Sequence, residues 1–274
     1  MRMRRTLVGV VVGAAIGAGL PAWGAAISNI AFTAPTDYTN NFVGTLNGGT
    51  ITYNSAGQNL LYNPPAAQQT AIIRYDTNPG DGQPGPADFL NETIKYDAAL
   101  SAFDGSSAGI MTRMQSDGTA VLALLNANSA TSLQIRLFFG AGSTTNGAGT
   151  QFYNGTFNLA TGAVTGGGTG STNAVAVNTP LTLTLTQTSA ADPVFNLTIA
   201  DADGFVASSG PQTLTSALSN AYDGPGSIAL RVNTPTVGDT ITLDNLSATP
   251  APEPGTFALA GCAAMGFLVR RRRR

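Results

Sequence analysis

Histidine is absent from the 274 residues, and the one cysteine, Cys262, stands near the carboxyl end. That removes histidine-based triads and imidazole metal ligands, and for the body of the chain it removes thiol nucleophiles as well. Carboxylates are what remain. Hydrolysis of a glycosidic bond needs two of them about 5–10 Å apart. The body has one glutamate, Glu92, and on a strand its same-face neighbours would be the apolar Leu90 and Ile94. Asp88, four positions away, would lie about 13 Å from it along a strand. Asp201 and Asp203 are closer in sequence but run into Gly204, a turn pattern. No catalytic residue is expected, and the chain reads as a non-enzyme.

Two further groupings could bind something. Asp76-Thr77-Asn78-Pro79-Gly80-Asp81-Gly82 offers hard oxygen ligands from Asp76, Asn78 and Asp81, but departs by one residue from the D-x-[DN]-x-[DN]-G calcium loop. A solvated acidic turn is the expectation; no cofactor is required, and calcium is the one ion this loop could take. Thr182, Thr184 and Thr186 form a regular hydroxyl row of the kind found on flat ice- or polysaccharide-binding faces. Such a face needs adjacent strands to continue the row, and only Thr50 and Thr52 suggest a second, shorter one, so an ordinary solvent face is expected. Aromatic platforms for sugars are scarce. The one tryptophan, Trp23, lies in the amino-terminal segment, and Tyr38, Tyr53, Tyr62, Tyr153 and Tyr222 are expected in the core or at sheet edges.

Charge narrows the partners. Arg2, Arg4 and Arg5 sit at one end and Arg270 to Arg274 at the other, leaving five basic residues against fourteen acids between Ala25 and Ala251. Those five, Arg74, Lys95, Arg113, Arg136 and Arg231, are scattered along the sequence. Nucleic acid, which requires clustered cations to release counterions, is excluded as a partner.

The elements that must position these residues are strands. Leu181 to Thr186 alternates leucine and threonine, and Ile94, Tyr96, Ala98 and Leu100 alternate with Lys95, Asp97 and Ala99. Similar stretches span 50–53, 60–62, 71–75, 110–115, 120–125, 133–139, 152–159, 194–200, 227–232 and 240–246, and no long window has helical periodicity. Five of the thirteen aspartates precede glycine, as tight hairpins favour. Hairpins are expected through Ser116-Asp117-Gly118-Thr119 and through Asp201-Ala202-Asp203-Gly204. Residues 27–248 read as one all-β sandwich domain, with 140–150 and 161–173 as long polar loops. With no cysteine in the body, its stability must come from core packing without a disulfide.

Two stretches indicate which sandwich. Phe32 with Asp37-Tyr38-Thr39-Asn40-Asn41-Phe42, and Gly226-Ser227-Ile228-Ala229-Leu230-Arg231 with Thr242-Leu243-Asp244-Asn245-Leu246, resemble the first and last strands of a concanavalin A-like (laminin G, glucanase-type) jelly roll. The resemblance implies that the first and last strands lie side by side. Alternatives are an immunoglobulin-like sandwich or a β-helix, the latter disfavoured by the absence of a fixed-period repeat.

The ends carry addresses. MRMRR, the apolar Leu7–Leu20 and the small residues of PAWGAA read as a secretory signal peptide over residues 1–26. At the other end, residues 249–274 hold Pro252-Glu253-Pro254, an uncharged run from Thr256 to Val269 and five arginines that should stay cytoplasmic. The run is shorter than the roughly 17–25 residues of a comfortable membrane helix. It reads as a short transmembrane pause rather than a permanent anchor. This arrangement resembles the PEP-CTERM sorting signal of Gram-negative surface proteins. The resemblance implies Pro252, Glu253 and Pro254 as the sorting motif, Arg270, Arg271, Arg272, Arg273 and Arg274 as the membrane-orientation cluster, and an exosortase-type transpeptidase as processing partner after the secretion translocon. It further implies transient residence in the inner membrane, then the cell surface or extracellular matrix, in association with exopolysaccharide or biofilm. The expected function is that of an exported non-enzymatic surface protein. A lectin-like carbohydrate-binding module and a glycan hydrolase are the alternatives.

Overall fold

A computed structural model describes residues 26–46, 49–67, 69–76, 92–115, 118–141, 149–188, 192–215 and 226–250. Two antiparallel sheets face each other. The ten-stranded sheet runs, in spatial order, β12 (Thr169–Gly170), β15 (Gly204–Ser208), β14 (Val194–Asp201), β13 (Leu181–Gln187), β6 (Glu92–Leu100), β18 (Ile241–Pro250), β4 (Asn59–Tyr62) and β3 (Ile51–Asn54). Beside that path, β1 (Ile27–Ile30) pairs with β18 and β16 (Gln212–Thr213) with β14. The eight-stranded sheet runs β11 (Ala163–Thr165), β10 (Thr150–Asn158), β9 (Ser132–Ala141), β8 (Ala120–Ser129), β7 (Ser106–Met114), β17 (Ser227–Asn233), β5 (Thr70–Tyr75) and β2 (Phe42–Leu46). The expected all-β sandwich is the fold.

Alternation decides which side chains meet. Ile94, Tyr96, Ala98 and Leu100 of β6 join Leu181, Leu183 and Leu185 of β13 in one core with Ile110, Val121, Leu137 and Leu230 of the opposite sheet. Successive strand residues point to opposite faces, so the partners of these core residues must point away from the sandwich. On the ten-stranded sheet they include the half-buried Thr93, Asp97, Thr182 and Thr184 and the exposed Lys95 and Thr186. On the eight-stranded sheet they are largely buried too, and Ile72, Met111, Leu122, Leu124, Phe138 and Ala229 form a second cluster separate from the main core.

Two expectations change. Phe32 to Phe42 does not open the sheet: Pro35–Thr39 forms the short helix α1, because proline at its start fixes a helical φ and the Asp37 carboxylate accepts the Ala34 N–H at 2.9 Å. The first strand is instead Ile27–Ile30, and it lies against the last, with Ile27 opposite Ala248. Nor is 161–173 simply a loop. Its β11 pairs with β10 in one sheet and its β12 with β15 in the other. Gly166, Gly167 and Gly168, at φ 85°, 90° and 95°, carry the chain across. A Cβ on Gly166 would lie 2.0 Å from the Asn154 carbonyl and one on Gly168 2.3 Å from that of Ser208, so this crossing requires glycine twice over.

Both expected hairpins form. Gly118 takes φ 83° and donates its N–H to the Gln115 carbonyl at 2.9 Å, while Asp201 Oδ1 accepts the Asp203 N–H at 3.0 Å before Gly204 at φ 123°. Those aspartates are turn chemistry.

Candidate functional site

The outward face of the eight-stranded sheet is ordered in three rows. The first runs Arg74, Ala229, Met111, Leu122 and Phe138 across β5, β17, β7, β8 and β9. The second runs Ile72, Arg231, Gly109, Leu124, Arg136 and Asn154, ending on β10. The third is polar throughout: Thr70, Asn233, Ser107, Asn126, Gln134 and Thr156. An apolar row and a polar row therefore flank a line that holds two guanidinium groups. Gly109 lies between those groups, and a Cβ there would come within 2.7 Å of the Ala123 carbonyl and 3.0 Å of two leucine methyls. The polar row is linked laterally. Asn126 Nδ2 donates to Gln134 Oε1 at 3.5 Å, Gln134 Nε2 to Thr156 Oγ1 at 3.4 Å, and Asn233 Nδ2 to Thr70 Oγ1 at 3.2 Å.

Three of the five body cations thus share one face, although the sequence scatters them. Arg231 is only 5% exposed; its Nη2 reaches Thr70 Oγ1 at 3.5 Å and its Nη1 has no hydrogen-bond partner. Arg136 lies 5.7 Å over the Phe138 ring, with its Nε unpartnered. Arg74, at the rim, has Asp76 Oδ2 3.8 Å from its Nη2. Burial, and then the like charge of Arg136, push the Arg231 guanidinium down to about 10 from 12.5. Burial alone lowers Arg136.

A base lowered in this way opposes folding, because the charged form is the one burial disfavours. The cost is fully present at every pH below about 10 and declines only as pH rises beyond that value. Arg231→Met is therefore expected to stabilise the protein by about 2 kcal/mol, equally at pH 6 and pH 8. Urea denaturation at the two pH values measures this; a less stable variant would mean that Arg231 is a packing residue.

The acids are placed elsewhere. Glu92 points into the sandwich, fully buried, where Gln187 Nε2 donates to its Oε1 at 2.6 Å and to Thr112 Oγ1 at 2.9 Å. Arg113 Nε donates to Gln187 Oε1 at 3.3 Å and its guanidinium lies 5.3 Å over Phe195. Sequence reasoning found no paired carboxylates, but the structure makes two pairs among the described residues: Asp97 on β6 is directly opposite Asp244 on β18, and Asp104 meets Asp239 through a side-chain hydrogen bond. Both Asp97 oxygens accept hydrogen bonds, from Thr182 Oγ1 at 2.6 Å and Asn245 Nδ2 at 2.8 Å, and Asp244 Oδ1 accepts the Asn245 N–H at 2.8 Å. Burial and the Asp97 charge raise Asp244. These bonds hold the bulge at Asn245, which has φ 55°.

The threonine row also has more company than the sequence suggests. Thr186 lies between Thr93 and Asn196, and Thr184 between Lys95 and Thr198. Thr93 in turn is opposite Thr249. Ser208 Oγ links two of these groups, accepting from Thr198 Oγ1 at 3.3 Å and donating to Asn196 Oδ1 at 2.9 Å. Among the tyrosines, Tyr62 and Tyr153 are buried, and the Tyr153 and Tyr53 hydroxyls donate to the Gly167 and Thr33 carbonyls, both at 2.8 Å. They are core and edge residues, as expected; Tyr222 lies outside the described residues. Asp76 is buried at the end of β5, while Asn78 and Asp81 also lie outside them. Among the described residues no three acidic, histidine or cysteine side chains gather as metal ligands.

Comparison with known proteins assigns the carboxyl end. Residues 250–274 match the PEP-CTERM protein-sorting motif. The tail is a PEP-CTERM sorting signal. A PEP-CTERM chain is exported and sorted. Pro252, Glu253, Pro254 and Arg270 to Arg274 fall within the matched segment but outside the described residues, as does the expected signal peptide apart from Ala26. Among the described residues no helix is long and apolar enough to cross a membrane.

The body of the chain that carries this sorting signal is similar in fold to solved lectin-like domains. The carbohydrate recognition domain of Emp46p in its potassium-bound form superposes with a TM-score of 0.51 at 10% identity, covering 83% of this chain and 97% of that one. A point mutant of the same domain gives 0.50 at 9% identity, again covering 83% and 97%. A legume lectin-like domain from Entamoeba histolytica gives 0.49 at 8% identity, covering 80% and 94%. At these identities the likeness is one of fold, and the two Emp46p superpositions agree with the expected concanavalin A-like sandwich. No curated protein matches the sequence.

Sequence reasoning missed the three-row face. A signal was present: Gln134 and Arg136 alternate with Leu133, Ile135 and Leu137, and Arg231 sits between Leu230 and Val232, so period two already turns them out of the core. Which strands lie next to one another is what the alternation could not say.

Proposed function

We propose that this is an exported, non-catalytic surface or matrix protein whose sandwich binds carbohydrate on the outward face of the eight-stranded sheet. The row of Asn233, Ser107, Asn126, Gln134 and Thr156 beside two guanidinium groups carries this reading. Neutral amides and hydroxyls both donate and accept, as sugar hydroxyls require, and strand spacing sets them at regular intervals of about 4.8 Å. Before reaching its ligand the chain passes the secretion translocon, pauses in the inner membrane of a Gram-negative cell and is processed by an exosortase-type transpeptidase at Pro252-Glu253-Pro254. Its ligand is then the exopolysaccharide of the surface or biofilm to which it is delivered. Calcium is not needed by the described face, and Asp76, Asn78 and Asp81 are the candidate ligands for it.

The test is retention on exopolysaccharide from the producing cells, with and without calcium, together with an assay for new reducing ends. The expected result is retention with no chain cleavage. Turnover lost in both Asp97→Asn and Asp244→Asn would instead favour a hydrolase built on the opposed carboxylates, whose close cross-strand placement suits a two-acid reaction.

A further inference from the structure

We propose that the ligand of this face is a carboxylated glycan, a polyuronate, gripped through its carboxylates by Arg231 and Arg136. This rests on the reading that the face binds carbohydrate, and adds the chemical class. The body is strongly acidic, with fourteen acids against five bases, yet none of the positions in the three rows is acidic. Arg74 has Asp76 beside it at the rim. Arg231 and Arg136 have no carboxylate of this kind among the described residues; Arg231 feels Arg136 as a like charge, and each retains a buried N–H without an acceptor. Two guanidinium groups on one row, Arg231 buried and Arg136 half-buried, with no carboxylate facing either among the described residues, are costly in the free protein. A carboxylate bound at the half-buried Arg136 would offset the repulsion, and the planar fork of arginine matches its two oxygens. The amide row beside the two arginines is placed to take the ring hydroxyls of the same polymer. A neutral glycan would need the amides but not the arginines.

The probes are polygalacturonate, its fully methyl-esterified form, which has the same backbone without charge, and polyglutamate, which has carboxylates without sugar. Each is titrated against the full chain in mild detergent by calorimetry, at low and high salt. Polygalacturonate is expected to bind at least ten-fold more tightly than either comparator, with affinity falling as salt rises. Arg136→Gln should weaken polygalacturonate binding about ten-fold or more, and Arg231→Met at least as much. Lys95→Gln, on the outer face of the other sheet, should change nothing. Arg136 is half-exposed, so its variant tests the proposal independently of any stability change in Arg231→Met. Equal binding of the acid and its ester, unaffected by either arginine variant, would overturn the polyuronate inference while leaving carbohydrate binding intact. Equal binding of polyglutamate, or no binding to any probe or to native exopolysaccharide, would overturn both.

Discussion

Arg113→Ala is expected to cost about 3–5 kcal/mol, a large share of the roughly 5–15 kcal/mol that holds a domain together. Arg113 is fully buried between the sheets, where its Nη2 donates to the Thr188 carbonyl at 3.1 Å and its Nε to Gln187 at 3.3 Å. Gln187 passes that contact on to Glu92, so the three side chains join β7, β13 and β6 across the sandwich. Removing the cation leaves the Glu92 carboxylate buried with its balancing charge gone, and an uncompensated buried charge costs more than the intact network contributes. Replacing both ends should therefore restore most of the loss. Arg113→Met combined with Glu92→Met is expected to be far closer to the parent than either single variant, and urea denaturation of all four proteins closes the cycle. Arg113 also sits at φ 53°, so Arg113→Gly should be less damaging than Arg113→Ala by about 1 kcal/mol. Additive single and double effects would mean that the charges do not interact.

The second large effect is in the tail. Glu253→Ala is expected to leave export intact and trap full-length protein in the inner membrane, because the amino-terminal signal and the fold are untouched while the processing enzyme loses the one charge of its motif. Replacing Arg270 to Arg274 by uncharged residues should do the opposite. Without the positive cluster nothing holds the carboxyl end in the cytoplasm, and unprocessed protein should appear in the periplasm or medium. Mass spectrometry of the mature carboxyl terminus, in cells with and without exosortase, separates these cases. A tail ending at Arg274 in both strains would show that this segment is a short anchor and that no processing occurs.

The sequence alone determined the sorting address at the carboxyl end, because a linear signal is read by other machines as a peptide and depends on local charge and hydropathy only. Alternation likewise fixed the strand class and which residues enter the core: Leu181, Leu183 and Leu185 face in because the side-chain period of a strand is two. Asp-Gly pairs located hairpins for the same local reason. Tertiary structure decided what lies beside what. Arg74, Arg136 and Arg231 are scattered over more than half the chain, yet the pairing of β5, β17, β7, β8 and β9 brings them to one face. Asp97 and Asp244 became neighbours through the β6–β18 ladder. Arg113 broke the alternation outright: the register shift between β7 and β17, with φ 53° at Arg113, turns inward a side chain that period two would have sent out with Met111. Strand pairing is a non-local choice among many chemically similar partners, and a bulge is one residue of slippage within it. Neither leaves a signature in the spacing of residues along one strand.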